Sequence, residues 1–204
     1  MLHLLYGSRK PKIYNMEFNN DLELAIEALK KGGIILYPTD TVWGIGCDAT
    51  NDDAVKRLMQ LKRRSDSKAM ISLVDSLDSL SKWVDFIPTA ALKEFESESL
   101  RPLTVIYDLP KGIASSLLAE DGSAAFRISG HEFSRDLCRG LNSPVVSTSA
   151  NISGRPTPLS FFDIDKELID KVDYVCFTDR EKKDSQPSRI LKINNRNEIK
   201  VIRE

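Results

Sequence analysis

The chain has 204 residues, 41% hydrophobic and 29% charged, with a formal net charge of −1; that is enough for a buried core and excludes a general polycationic attraction to nucleic acid. Cys47, Cys138 and Cys176 are odd in number and never form CxxC, which argues against a disulfide framework or a zinc site. No run approaches the roughly 20 apolar residues of a membrane span, and the N-terminal MLHLLYGSRKPK has neither a basic leader nor a small-residue cleavage site, so the reading is a cytoplasmic protein with no membrane role.

Residues 1–6 read as a short edge strand and 7–12 as a loop. Leu22, Ala25, Ile26 and Leu29 have helical spacing, with Asn20 or Asp21 as N-cap and Gly32-Gly33 as the stop. Ile34 to Tyr37 is an apolar run typical of a strand buried on both faces, ended by Pro38. A second helix, capped by Asn51 or Asp52, carries Ala54, Val55, Leu58, Met59 and Leu61, and a basic loop then leads to a strand over 70–74. Two short helices broken by Pro88 follow over 76–98, then strands over 104–107 and 124–128, a helix over 133–141 and a strand over 144–147. The tail reads as a helix over 163–170 and strands near 173–177, 189–193 and 198–202. This alternation predicts one α/β domain over 1–204 with a largely buried mixed sheet.

Chemistry concentrates at strand ends. Tyr37-Pro-Thr-Asp-Thr-Val-Trp-Gly-Ile-Gly-Cys47 places a polar cluster just past a buried strand, where ligands bind in open α/β sheets. The alternative is a turn in which Asp40 and the threonines satisfy local backbone groups. Gly44 and Gly46 suit a tight turn or close approach to a ligand, but no dinucleotide fingerprint or Walker loop is present. Lys56, Arg57, Lys62, Arg63, Arg64 and Lys68 are six cations in thirteen residues, opposed in that stretch only by Asp66. They read as a polyphosphate clamp or, more plainly, as a solvated cationic face.

In Pro144 to Pro158, a buried strand empties into STSAN, where Ser147, Ser149 and Asn151 alternate and so project to one side of an extended chain. No GxSxG surrounds Ser149 and neither His3 nor His131 has triad support, which disfavours a serine hydrolase. Arg127 stands alone in an apolar strand, as an internal ion pair or as the receptor for a substrate carboxylate.

Strand-PTDTVWGIG, a helix leading into LKRRSDSK, the strand AFRI and then PVVSTSANISGRP resemble, in order and spacing over about 20–160, the YrdC-like threonylcarbamoyl-AMP synthases. The resemblance implies a twisted mixed parallel/antiparallel α/β sheet with helices packed around it and a concave basic cavity, the segment 161–204 completing the sheet or cavity. It implies synthesis of threonylcarbamoyl-AMP and pyrophosphate from L-threonine, bicarbonate or CO2 and ATP, with Mg2+, for modification of the adenosine at tRNA position 37. On matching positions, Thr41, Arg127 and Ser149 would meet threonine, and Arg64 and Lys68 the ATP phosphates with Lys62 nearby. Asn151, with Ser147, Ser123 and Thr104, would serve the nucleotide; no metal-ligating set is assigned. A downstream threonylcarbamoyl transferase is the implied recipient, and tRNA or double-stranded RNA is a candidate partner.

The chain departs from the family pattern at Leu100-Arg-Pro-Leu-Thr104 (arginine for glycine), at Phe126 to Glu132 (two prolines missing) and at Pro187-Ser188-Arg189-Ile190. Two alternatives stay open: an RNA- or nucleotide-binding sister branch without synthase activity, and carbamoyl transfer to another acceptor. The tail after Asp163 is expected to close over the cavity.

Overall fold

The structure, a computed structural model, describes residues 12–63, 70–96, 101–183, 186–194 and 196–204. The expected strand over 1–6 and the loop that follows lie outside these residues, except that Lys12 opens helix α1 (Lys12–Lys30). This helix starts well before the expected cap, and Asp21 is no cap. Its buried carboxylate accepts hydrogen bonds from Tyr174 Oη (2.7 Å), from the amides of Phe177 and Thr178 (3.0 and 2.8 Å) and from the Thr178 hydroxyl (2.5 Å). Four donors make a buried carboxylate tolerable, and they tie α1 to the far end of the sequence.

The strands are β1 (Ile35–Tyr37), β2 (Gly44–Gly46), β3 (Ile71–Val74), β4 (Leu103–Tyr107), β5 (Ala124–Ile128), β6 (Val145–Ser149), β7 (Tyr174–Val175), β8 (Arg189–Ile193) and β9 (Ile199–Arg203). They form one twisted sheet in the order β7-β1-β2-β6-β3-β5-β4-β8-β9. The pairs β1–β7, β3–β5 and β4–β8 are parallel and the remaining ones antiparallel, so the sheet is mixed, as expected.

Helices α2 (Asp52–Leu61), α3 (Leu77–Leu80), α4 (Thr89–Glu96), α5 (Glu132–Leu141) and α6 (Lys166–Ile169) surround it. Asn51 caps α2 as expected, its Oδ1 accepting from the Ala54 amide at 3.0 Å. The tail helix is shorter than expected, because Phe161–Asp163 form a separate 3₁₀ turn. One core gathers Leu29, Ile34, Leu58, Phe133 and Val146; a second gathers Leu80, Val105, Phe126 and Leu191. Successive residues of a strand face opposite sides. Phe126 enters the second core, so Arg127 faces the other way.

Gly44 and Gly46 belong to a strand rather than to a ligand-binding turn. The Tyr37 ring lies against both positions, and its hydroxyl donates to the Val146 carbonyl at 2.9 Å. A Cβ on Gly46 would overlap that same carbonyl oxygen. The missing side chains therefore let β1, β2 and β6 close up around a buried tyrosine.

Gly46→Ala is expected to lower stability by about 3 kcal/mol or more, read by urea denaturation, because backbone must move to make room. The three cysteines are buried, and desolvation pushes the Cys47 and Cys138 thiols up to about 12 and Cys176 upward as well. A thiol reagent at about pH 8 should leave all three unmodified in the native protein and modify them in denaturant.

Candidate active site

On the side of the sheet away from the second core lies a cavity of about 360 Å³, within the range of small-molecule sites. Thr41 and Val42 from the β1–β2 loop, Arg127 from β5 and Ser147 to Ser149 from β6 form one side. Pro187, Ser188, Ile190 and Arg203 form another, so the described part of the tail supplies a wall of the pocket. Among the described residues, no carboxylate lines it.

Arg127 is 3% exposed. Its Nη1 donates to Thr41 Oγ1 at 3.3 Å, and its Nη2 lies 3.2 Å from Asp40 Oδ1. That approach is close but not aligned as a hydrogen bond, and both Asp40 Oδ1 and Arg127 Nε are buried without a hydrogen-bond partner. Asp40 Oδ2 accepts the Gly130 amide at 2.9 Å, ninety residues away in sequence. Local turn satisfaction, the plainer reading of this stretch, holds only for Thr39, whose hydroxyl donates to the Val42 carbonyl and accepts the Thr41 amide.

In STSAN, the side-to-side alternation ends at Ser149. The Asn151 amide turns back to the Ser149 carbonyl at 2.8 Å, and Ser149 Oγ donates to Asn151 Oδ1 at 2.5 Å. Asn151 Nδ2 donates to the Arg155 carbonyl at 2.6 Å, which orients the amide so that its oxygen faces Ser149. Lys62, expected at the end of α2 beside phosphates, is instead 1% exposed. Its ammonium donates to the carbonyls of Ser149 and, at 2.8 Å, Asn151. Lys62 thus holds the backbone of the polar strand end.

Two other expectations are corrected. Ser123 is not among the residues lining the cavity: it closes a turn at the opposite end of β5 from Arg127, with its amide and hydroxyl donating to Asp121 Oδ1 at 3.1 and 2.6 Å. The cations of the basic stretch that are described are not an unopposed patch. Lys56 pairs with Asp52 at 2.7 Å, Arg63 with Glu167 at 2.8 Å, and Arg57 with Asp173, two of the three acids arriving from distant sequence. Arg64 and Lys68 lie outside the described residues. His131 pairs with Asp179 at 3.0 Å, not with Ser149, and burial, foremost, lowers its pKa.

A family model described as "Telomere recombination", that of the Sua5, YciO and YrdC proteins, matches residues 27–204. The chain belongs to this family. The threonylcarbamoyl-AMP synthase of Xanthomonas campestris pv. campestris (strain B100) is 37% identical over 166 residues, covering 78% of this chain and 87% of its own. E. coli YciO superposes with a TM-score of 0.77 at 22% identity, over 92% of this chain and 89% of that one. P. abyssi Sua5 complexed with L-threonine superposes with a TM-score of 0.74 at 23% identity, over 84% of this chain and 50% of that one. The chain spans half the length of that Sua5 chain, and at these identities the two structures bear on the fold alone. Family membership supports a synthase-like enzymatic role.

Arg203 is not among the residues that the sequence singles out, and Ser188 enters there only within the departure Pro187-Ser188-Arg189-Ile190. Ser188 Oγ lies 2.9 Å from Thr104 Oγ1, which places Thr104 behind the tail wall. Arg203 donates through Nε and Nη2 to the Ser188 carbonyl and hydroxyl at 2.9 and 3.2 Å. Its guanidinium is held below the usual value by desolvation, then by Arg127 and Arg101, which marks this end of the cavity as positive. The sequence signal for Arg203 is an arginine closing the strand IKVIR. Magnesium finds no seat of its own here: among the described residues no three His, Cys, Asp or Glu side chains gather, and the walls offer hydroxyls and guanidinium groups. These residues do not fit a protein-held Mg2+, which takes carboxylate, phosphate and water oxygens. Among the described residues, no helix is long and apolar enough to cross a membrane.

Lys62→Met leaves two backbone carbonyls without their ammonium donor and should cost about 2–4 kcal/mol in urea denaturation. Unchanged stability with loss of ATP binding would return Lys62 to a phosphate-contacting role.

Proposed function

We propose that the chain makes threonylcarbamoyl-AMP and pyrophosphate from L-threonine, bicarbonate or CO2 and ATP, as a nucleotidyltransferase. The observation that carries this reading is Arg127: a buried guanidinium with unmet hydrogen-bonding capacity, facing a cavity walled by Thr41, Ser147, Ser149 and Arg203 and, among the described residues, by no carboxylate. Such a group seeks an anion, and a planar carboxylate suits its fork. The family relationship to the X. campestris synthase supports threonine as the bearer of that carboxylate.

In this reading the threonine carboxylate rests on Arg127 and Thr41. The amine lone pair attacks the carbon of CO2, loses a proton and gives a carbamate. A carbamate oxygen then attacks the α-phosphorus of ATP, the bond from that phosphorus to the β-phosphate oxygen breaks, and pyrophosphate departs. No side chain becomes covalently attached. The protein contributes by fixing the carbamate near the nucleotide and by offsetting phosphate charge. Ser149, which lines the cavity, keeps its assignment to the carbamate; Asn151 keeps its assignment to the nucleotide although it stands behind Ser149, outside the lining residues, with its amide bonded to Ser149 and to the Arg155 carbonyl. Arg64 and Lys68 keep their assignment to the phosphates. Mg2+ would enter as the companion of ATP. The product would pass to a threonylcarbamoyl transferase acting on tRNA in the cytoplasm; direct contact with tRNA or double-stranded RNA loses its main support, since the described cations of the 56–68 stretch other than buried Lys62 are paired with acids.

Pyrophosphate release from ATP and Mg2+ should require both L-threonine and bicarbonate. Release indifferent to threonine, or none, would leave the nucleotide-binding reading without synthase activity. Arg127→Ala should lower kcat/KM for threonine on the order of 10–100-fold, as loss of a charged hydrogen bond implies. Arg64→Ala and Lys68→Ala should instead raise the KM for ATP with stability within about 0.5 kcal/mol of the parent.

A further inference from the structure

Resting on that reading of the pocket, we propose that Asp40 is a positioning residue: from behind Arg127 it fixes the guanidinium in the direction that receives the substrate carboxylate. Asp40 and Thr41 are consecutive in the β1–β2 loop and grip the two ends of one guanidinium, Thr41 at Nη1 and Asp40 at Nη2. Thr41 lines the cavity, whereas Asp40 is absent from its lining residues. Asp40 is itself anchored, because its second oxygen takes the Gly130 amide three residues beyond Arg127. A Cβ on Gly130 would stand 3.3 Å from Asp40 Oδ2, so the lack of a side chain there leaves the carboxylate its place.

Two effects of Asp40 oppose each other. Its negative charge beside Arg127 weakens the pull on any incoming anion, by simple Coulomb attraction. Its contact also stops a buried arginine, whose Nε has no partner, from turning toward other oxygens. The geometry favours the second. Asp40 and Thr41 hold the two Nη ends of the guanidinium from one loop, and the Gly130 amide fixes the carboxylate that does so. In Asp40→Asn an amide oxygen still accepts the Gly130 N–H, but an NH2 then faces the guanidinium and the aim is lost.

The test is calorimetric binding of L-threonine and of L-threoninamide, which lacks the carboxylate, to the full chain and its variants, with steady-state kinetics alongside. The parent should bind threonine and discriminate against the amide. Asp40→Asn should weaken threonine on the order of tenfold and erase most of that discrimination, raising the KM for threonine while kcat and the KM for ATP stay within about twofold. Gly130→Ala, which displaces Asp40 without removing its charge, should shift threonine the same way by a smaller factor, and it decides the matter if Asp40→Asn does not fold. Equal or tighter threonine binding by Asp40→Asn would overturn the proposal and make Asp40 a damper of the arginine's charge. A parent that binds no threonine would overturn the reading of the pocket itself, and the role of Asp40 with it.

Discussion

Lys62 and Arg127 are 1% and 3% exposed, and a buried cation is tolerated only where oxygen atoms replace the water it has lost. Each finds those oxygens in a different strand or loop, so each becomes a tie between parts of the fold. Lys62, at the end of α2, takes the carbonyls at the end of β6. Arg127, in β5, takes the loop between β1 and β2. Lys62 is spent on backbone, whereas Arg127 keeps unused donor capacity and opens onto a cavity.

Around these cations the scaffold is closed by backbone proximity. Tyr37 lies over two glycine positions of β2 and hydrogen-bonds to β6, drawing three strands together where the polar segments PTDT and STSAN emerge. Asp21 does comparable work from outside, gathering four donors of the 174–178 segment onto α1. The loops that carry PTDT and STSAN are therefore short exits from a region whose geometry is set by interior hydrogen bonds. This suits chemistry that relies on placement rather than on a reactive side chain.

Much of this was legible in the sequence. The apolar runs before Pro38 and after Pro144 announce buried strands, the cap at Asn51 announces α2, and a lone arginine among AFRI announces a buried charge. Other features were hidden for physical reasons. Glycine disfavours strands, so GIG read as a turn until the tyrosine it accommodates was seen. Asp21 looked like a cap because caps and buried acceptors use the same carboxylate. The cations of α2 looked unopposed because two of their acids, Glu167 and Asp173, lie more than a hundred residues away. Ser123 looked like a ligand residue because a strand has two ends, and the sequence does not say which one meets the cavity.

Three ties that assemble the pocket are distant in sequence: Arg127 to Thr41 spans 86 residues, Lys62 to Ser149 87, and Thr104 to Ser188 84. Contacts of such high order are costly to close and form late in folding. A partly folded chain therefore lacks the assembled pocket, whose walls come from the β1–β2 loop, β5, β6 and the tail. On the proposed function, substrate would act on the folding equilibrium itself: by mass action it would draw the ensemble toward the one conformation in which these elements meet.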